Sequence, residues 1–388
     1  MSQYVSTQET AQRWGVSPRY VQRLAAAGRL AGAKRYGNYW MIPADAEKPS
    51  DPRRASADAA NASPVYRYIS AFPLAKNACE ASWQGLEPRS RALAQADIAF
   101  RQGDPEPAKA CWRTLRSDPS NASPAASLAI AAAICTGDYA LYEEIRRCLD
   151  ELSRQTRDPQ NQAILSLPGA LAAVSMAVPQ MTPRWLTECD FSLFPMELRP
   201  FLLYLYALHL RNTRDYSAML ATANAALTLC AQEATFTWLD VYFGVLCAVA
   251  AYAQGELDRS ERYLSSTLSL ALPYGFIAPF ADYLGDLGGT LENLLDQCAP
   301  SLRKQTIALW NANFKNWMTF HNDFAKDNIT TLLTAQEYHV AHLIARGATY
   351  TETASRLHLS VSRVKTIQSS IFSKLYIQRK SGLSRFIL

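Results

Sequence analysis

The sequence predicts a mainly α protein, with a helix-turn-helix at each end and a body of stacked α-helical hairpins between them. The first helix-turn-helix carries a small β-hairpin as a wing. Three observations lead there. Ser or Thr followed three residues later by Glu marks helix starts at Ser6/Glu9, Thr334/Glu337 and Thr349/Glu352. Gly-Asp turns recur thirty-four residues apart, at Gly103 and Gly137, a spacing expected of repeated helical hairpins. Charge is also uneven: residues 1–54 hold nine Lys/Arg against four Asp/Glu, and residues 334–388 hold eight against two. A chain of 388 residues and net charge +5 therefore has basic ends and an acidic middle, as phosphate-binding heads on an acidic body would give.

At the N-terminus, Ser6 and Glu9 start a first helix whose inner side is Ala11 and Trp14. Gly15-Val16 makes a turn and Ser17 caps a second helix. Pro18 sits at its first position, where a missing N–H costs nothing. Val21 and Leu24 face inward, leaving Arg19, Tyr20 and Arg23 outward, and Gly28 ends the helix. Residues 33–43, AKRYGNYWMIP, alternate as strands around a Gly37-Asn38 hairpin turn. The pattern from Tyr4 to Gln22 resembles the small MerR/excisionase-like winged helix-turn-helix domains, which assigns residues 1–45 to such a domain. The resemblance implies Arg19, Tyr20 and Arg23 in a DNA groove, with Lys34 and Arg35 on the wing at phosphates.

Residues 46–79 read as a linker, rich in Ala, Ser, Pro and Asp as far as residue 66. From 80 to 325 the chain reads as paired helices. One runs to Gly103-Asp104; the next starts near Pro105 and ends at Asp118-Pro119. Later turns at Arg214-Asp215-Tyr216 and Gly255-Glu256-Leu257 lie forty-one residues apart, so the repeat becomes irregular. Ala94, Ala108, Ala131 and Ala251 allow close helix approach, while Trp112, Tyr142, Tyr206 and Phe243 fill between hairpins. The region resembles the tetratricopeptide (TPR) sensor region of MalT-like regulators, and residues 271–295 resemble the segment that closes it. That resemblance implies a TPR-like solenoid with a groove for an unknown small-molecule or protein effector. Trp185, Tyr204, Tyr206, Trp238 and Tyr242 are candidates for lining a pocket, although aromatics at helical spacing are more often core. Trp310, Phe314, Trp317 and Phe320 are expected at the seam with the last domain.

That last domain, residues 329–388, contains three short helical patterns. Val340, Leu343 and Ile344 form one apolar face, Ala354 and Leu357 a second, and Val364, Ile371 and Leu375 a third. Gly347 stops the first helix, Leu359 plugs the turn and Ser360 caps the third helix, whose outer face carries Arg363, Lys365 and Lys374. Leu333, Thr334, Glu337, Gly347, Glu352, Ala354, Ser360, Val364, Lys365, Lys374 and Leu375 match the pattern of LuxR/GerE-type transcription regulators, which the segment resembles. The resemblance implies a DNA-binding helix with Lys365, Thr366 and Ser369 toward bases or adjacent backbone, and Ser362 and Arg363 beside them. Gln336, Arg363 and Ile367 depart from the pattern. Family members commonly pair through the following helix, which here begins near Ser381, so a homodimer is expected.

The remaining features bound the function. No apolar run reaches the roughly 18 residues of a membrane span, and MSQYVSTQET lacks the features of a secretory leader. The eight cysteines are scattered without a CxxC pair and read as buried thiols in a reducing cytoplasm. No phosphate-binding Gly-x-x-x-x-Gly-Lys loop, GxSxG elbow or HExxH motif is present, so no enzyme, cofactor or metal is expected. His339 and His342 are better placed as helix residues than as ligands. The expectation is a cytoplasmic DNA-binding transcription regulator acting on double-stranded DNA. The alternative is an interaction scaffold whose heads have lost specific DNA binding, and a ligand-processing enzyme fused to the heads comes third.

Overall fold

The computed structural model describes residues 4–14, 16–26, 30, 32–36, 39–44, 46, 69–76, 78, 86–116, 119–232, 234–287, 289–325, 333–375 and 377–385. The chain divides into two compact units, Met1–Ala62 and Ser63–Leu388.

In the first unit, Tyr4–Ser6 (β1) leads into Thr7–Trp14 (α1), then Pro18–Ala26 (α2), Lys34–Tyr36 (β2) and Tyr39–Pro43 (β3). The expected hairpin is present, its last pair Tyr36 opposite Tyr39. Gly15, Gly28, Gly37 and Asn38, expected to form turns, lie outside the described residues. A strand the sequence reading lacks, β1, pairs with β3 through Val5 opposite Ile42, giving the order β1-β3-β2. Three residues are too few to display the alternation that identifies a strand. Ala11, Val21, Leu24, Ala25, Leu30 and Ile42 make the core, and Arg13 donates to the carbonyls of Ala44 and Ala46, tying α1 to the end of β3.

The second unit begins inside the stretch expected to be linker. Ile69, Ser70, Ala71, Phe72 and Leu74 are buried, and Leu74–Ala75 (β4) pairs antiparallel with Thr235–Phe236 (β5). Tyr274 Oη donates to Ala75 O at 2.9 Å and Lys76 Nζ to Gln232 O at 2.6 Å. The domain boundary at 79 therefore moves back: a run of apolar residues (Ile69, Ala71, Phe72, Leu74) gains more from burial than from exposure.

Helices then follow in packed succession: Pro88–Arg101 (α3), Glu106–Leu115 (α4), Pro119–Thr136 (α5), Tyr139–Gln155 (α6), Pro159–Ser175 (α7), Arg184–Thr187 (α8), Arg199–Asn212 (α9), Tyr216–Cys230 (α10), Trp238–Ala253 (α11) and Leu257–Ala271 (α12). The turns read from sequence fall between them. Gly103, Gly137 and Gly255 take left-handed φ values of 98°, 70° and 81°, and Arg214 does the same at 60°. At two of these turns the following Asp has a mechanical reason: Asp138 and Asp215 accept from Leu141 N and Ala218 N, capping α6 and α10. Ala94, Ala108 and Ala251 are fully buried, as are Trp112 and Phe243.

Ala278–Ala281 (α13) and Thr290–Cys298 (α14) precede the long helix Pro300–Ala325 (α15). One face of α15 gives Phe320 and Phe324 to the core with Tyr142, while Phe314, Trp317 and Met318 meet the C-terminal helices. Those are Ala335–Ala345 (α16), Tyr350–Arg356 (α17) and Val361–Lys374 (α18); where a further helix is expected from near Ser381, the described residues form a 3-10 turn, Lys380–Arg385. Among the described residues no helix is long and apolar enough to cross a membrane. Cys111 and Cys247 are buried, their thiols pushed up by burial to about 11 and about 12; Cys189 and Cys298, expected inside, are exposed.

Candidate nucleic-acid interfaces

On α2, Val21, Leu24 and Ala25 turn to the core, which leaves Arg19 and Arg23 exposed on the opposite side. Lys34 and Arg35 are exposed on β2, and Lys34 Nζ lies 5.4 Å from the centre of the Tyr4 ring, a cation–π contact that steadies the wing on β1. The side chain of Tyr20 lies outside the described residues. Glu9 accepts from Ser6 N at 2.8 Å and Ser6 Oγ at 2.9 Å. The backbone bond from Ser6, then its hydroxyl, hold the Glu9 carboxyl below its usual range.

The C-terminal helices are built as the spacing indicates. Thr334 with Glu337 and Thr349 with Glu352 form complete capping boxes, and Ser360 Oγ accepts from Arg363 N at 3.1 Å. Gly347 is left-handed at φ 91°, and Leu359 packs on a core of Leu333, Val340, Ile344, Ala354, Val364 and Ile371. Ser362, Arg363, Lys365, Thr366 and Ser369 all emerge on the exposed side of α18. The hydroxyls of Thr366 and Ser369 donate back to Ser362 O and Lys365 O, each at 3.1 Å, so a base contact from either would exchange that bond.

Two residues of α18 differ from expectation. Lys374 leaves the cationic face for an ion pair with Glu337 Oε2 at 2.7 Å. Ile367 is buried with Val364 and Ile371, so its side chain belongs to the core and not to the exposed side of α18. The structure also adds partners. Tyr350 donates to Gln368 Oε1 at 2.6 Å, and the Nζ atoms of Lys365 and Lys380 lie 5.7 and 4.0 Å from its ring centre. Lys380 is three-dimensional information: it follows α18 by a turn and shares no helical period with Lys365.

The C-terminal helices are seated on the rest of their unit. His339 stacks on Trp310 at a ring distance of 5.2 Å and packs tilted against Phe314 at 3.8 Å, and Arg356 Nη1 donates to Gly285 O at 2.9 Å. Beneath this seam lies a cavity of about 210 Å³. Of the five aromatics proposed for a pocket, Tyr204, Trp238 and Tyr242 line it; Trp185 and Tyr206 pack elsewhere. Trp310, Phe314 and Trp317, expected at the seam, close its other side.

Residues 4–46 match the family model of a helix-turn-helix domain. No curated protein and no solved structure matches the chain. The matched residues are those that form the three-stranded sheet with α1 and α2, and they contain Arg19, Arg23, Lys34 and Arg35.

Proposed function

We propose that the protein is a cytoplasmic transcription regulator that binds double-stranded DNA through two heads, residues 1–45 and 329–388, and catalyses no reaction. The observation that carries this is the helix-turn-helix match at 4–46, with Arg19 and Arg23 exposed on its second helix. In a helix-turn-helix, that helix enters the major groove while neighbouring cations fix its register on phosphates. The exposed cationic side of Val361–Lys374 supports a second, LuxR-type contact. The paired helices of the body, with their capped turns, support a TPR-like solenoid that senses an effector, and a homodimer would place two copies of each head on DNA.

Selection of genomic fragments with full-length protein at low and near-physiological salt tests this reading. One enriched sequence at both salts is expected, lost in Arg19→Ala/Arg23→Ala. Recovery of random DNA that vanishes at higher salt means charge attraction alone and overturns it. Solution mass with and without the enriched DNA tests the homodimer; a strict monomer in both removes it. The second reading is an interaction scaffold without specific DNA binding. It is favoured by the inward-bonded hydroxyls of Thr366 and Ser369.

A further inference from the structure

The cavity beneath the C-terminal helices is lined by ionic groups as well as apolar ones. Three guanidiniums, Arg101, Arg211 and Arg346, reach it against two carboxylates, Asp282 and Asp286. Arg101 is fully engaged. Its Nε and Nη2 donate to Asp97 Oδ1 at 3.2 and 2.9 Å, its Nη1 to Tyr242 Oη at 3.2 Å, and it lies 4.1 Å from the Trp238 ring centre. Asp282 accepts from Tyr242 Oη at 2.8 Å, a neutral donor, and burial raises its carboxyl above the usual range.

Arg211 and Arg346 are different, because both lean on one carboxylate. Arg211 Nη2 lies 2.6 Å from Asp286 Oδ2, and Arg346 Nη1 pairs with Asp286 Oδ1. The Asp286 side chain is only 4% exposed and the two arginine side chains 18% and 17%. Among the described residues, each of these two guanidiniums therefore has only a shared carboxylate as its direct ionic partner, and a second anion between them would complete both pairings. Arg346 Nε and Ser127 Oγ, both at the cavity, have no hydrogen-bond partner. The rest of the wall is largely aromatic, from Tyr204, Trp238, Trp310, Phe314 and Trp317. The volume, about 210 Å³, exceeds the roughly 150 Å³ of an engineered cavity that takes up benzene.

We infer that this cavity is a binding site for a small monocarboxylate with an aromatic or branched apolar body. The carboxylate sits between Arg211 and Arg346, and the apolar body lies against the aromatic wall. Arg346 ends the helix Ala335–Ala345, so the ligand bridges Arg211 of the body to the C-terminal helices and stabilises their seating. Its role as an effector rests on the regulator reading above; its binding does not.

Full-length protein titrated with phenylacetate, 2-phenylethanol and phenethylamine, each to about 10 mM, separates charge from shape. The readouts are tryptophan fluorescence, since Trp238, Trp310 and Trp317 line the cavity, and Tm. Phenylacetate is expected to give a saturable response and a raised Tm, with the alcohol at least about tenfold weaker and the amine weaker still. Ala131→Phe, which fills the cavity without touching a charge, should abolish the response, and Arg346→Gln should weaken it about tenfold or more. Equal responses to all three probes, preference for the amine, an unaltered response in Ala131→Phe, or no saturable response overturns the inference. No DNA is involved, so loss of sequence selection with phenylacetate binding intact would remove the regulator reading and leave the site.

Discussion

On the exposed side of Val361–Lys374, Lys365 is the side chain with the most to lose. If it reads a base edge, Lys365→Ala weakens specific DNA binding by about 1–3 kcal/mol and relaxes one position of the site. If it touches only phosphate, the loss is smaller, uniform over sequences and accompanied by a salt slope shallower by about one. Unchanged affinity on the enriched DNA would exclude this helix from the interface. Glu337 is the opposite kind of residue, charged but structural. Burial alone would raise its carboxyl, but bonds from Lys374 (2.7 Å), Ser370 (2.7 Å) and Thr334 N (2.8 Å) outweigh that and bring it down to about 2. Its folded value lies below the unfolded one near 4.5, so its contribution is complete above 4.5 and is lost as pH falls toward 2. Glu337→Gln should therefore cost about 1–2 kcal/mol at pH 7, a discounted figure because Lys374 is 39% exposed and screened. The difference should vanish in denaturation measured near pH 2. Sequence spacing identified Glu337 as a capping residue; that Lys374 would meet it required the packing of the third helix on the first.

At the scale of elements, the capping signals and turns were legible because they are local. Thr334/Glu337, Thr349/Glu352, Ser360, Asp138 and Asp215 act within three residues of themselves. Elements that exist only through distant pairing were not legible. Tyr4–Ser6 and Leu74–Ala75 become strands because Pro43 to Met41 and Phe236–Thr235 stand opposite them. The turn series yields a prediction of its own. Arg214 holds a left-handed φ of 60° where the equivalent turns have glycine, a conformation that crowds Cβ. Arg214→Gly should raise stability by about 0.5–1 kcal/mol in denaturant titration, and a decrease would mean that the side chain supplies more than the strain removes. The reverse case is Gly244, where α11 meets α12. A Cβ there would lie 2.1 Å from Thr267 Oγ1. Gly244→Ala should cost about 2 kcal/mol, and Thr267→Ala in the same chain should recover much of it. No recovery would place the clash elsewhere.

For the molecule as a whole, the seam between the body and the C-terminal helices decides how one responds to the other. Its aromatic half was foreseeable from the spacing of Trp310, Phe314 and Trp317; its ionic half was not, since Arg211, Asp286 and Arg346 converge from three separate segments. His339 sits in this seam against Phe314 and Trp310, and its Nε2 has no hydrogen-bond partner. Burial, and to a lesser degree the neighbouring His342, push its pKa down to about 4. The unfolded chain, at about 6.5, binds the proton first, so the seam's stability is complete above 6.5 and falls as pH drops toward 4. Between pH 7 and pH 5 the cost is about 1–2 kcal/mol. Asp97, which burial pushes up to about 6, contributes in the opposite sense over the same range, so wild type alone does not isolate the effect. His339→Phe does, because it keeps a flat ring in the stack and cannot be protonated. Denaturation midpoints of both proteins at pH 7 and pH 5 should show the wild type losing about 1–2 kcal/mol more than the variant. Parallel loss in the two would mean that acid acts on this protein through other groups, and that the seam stays closed across the physiological range.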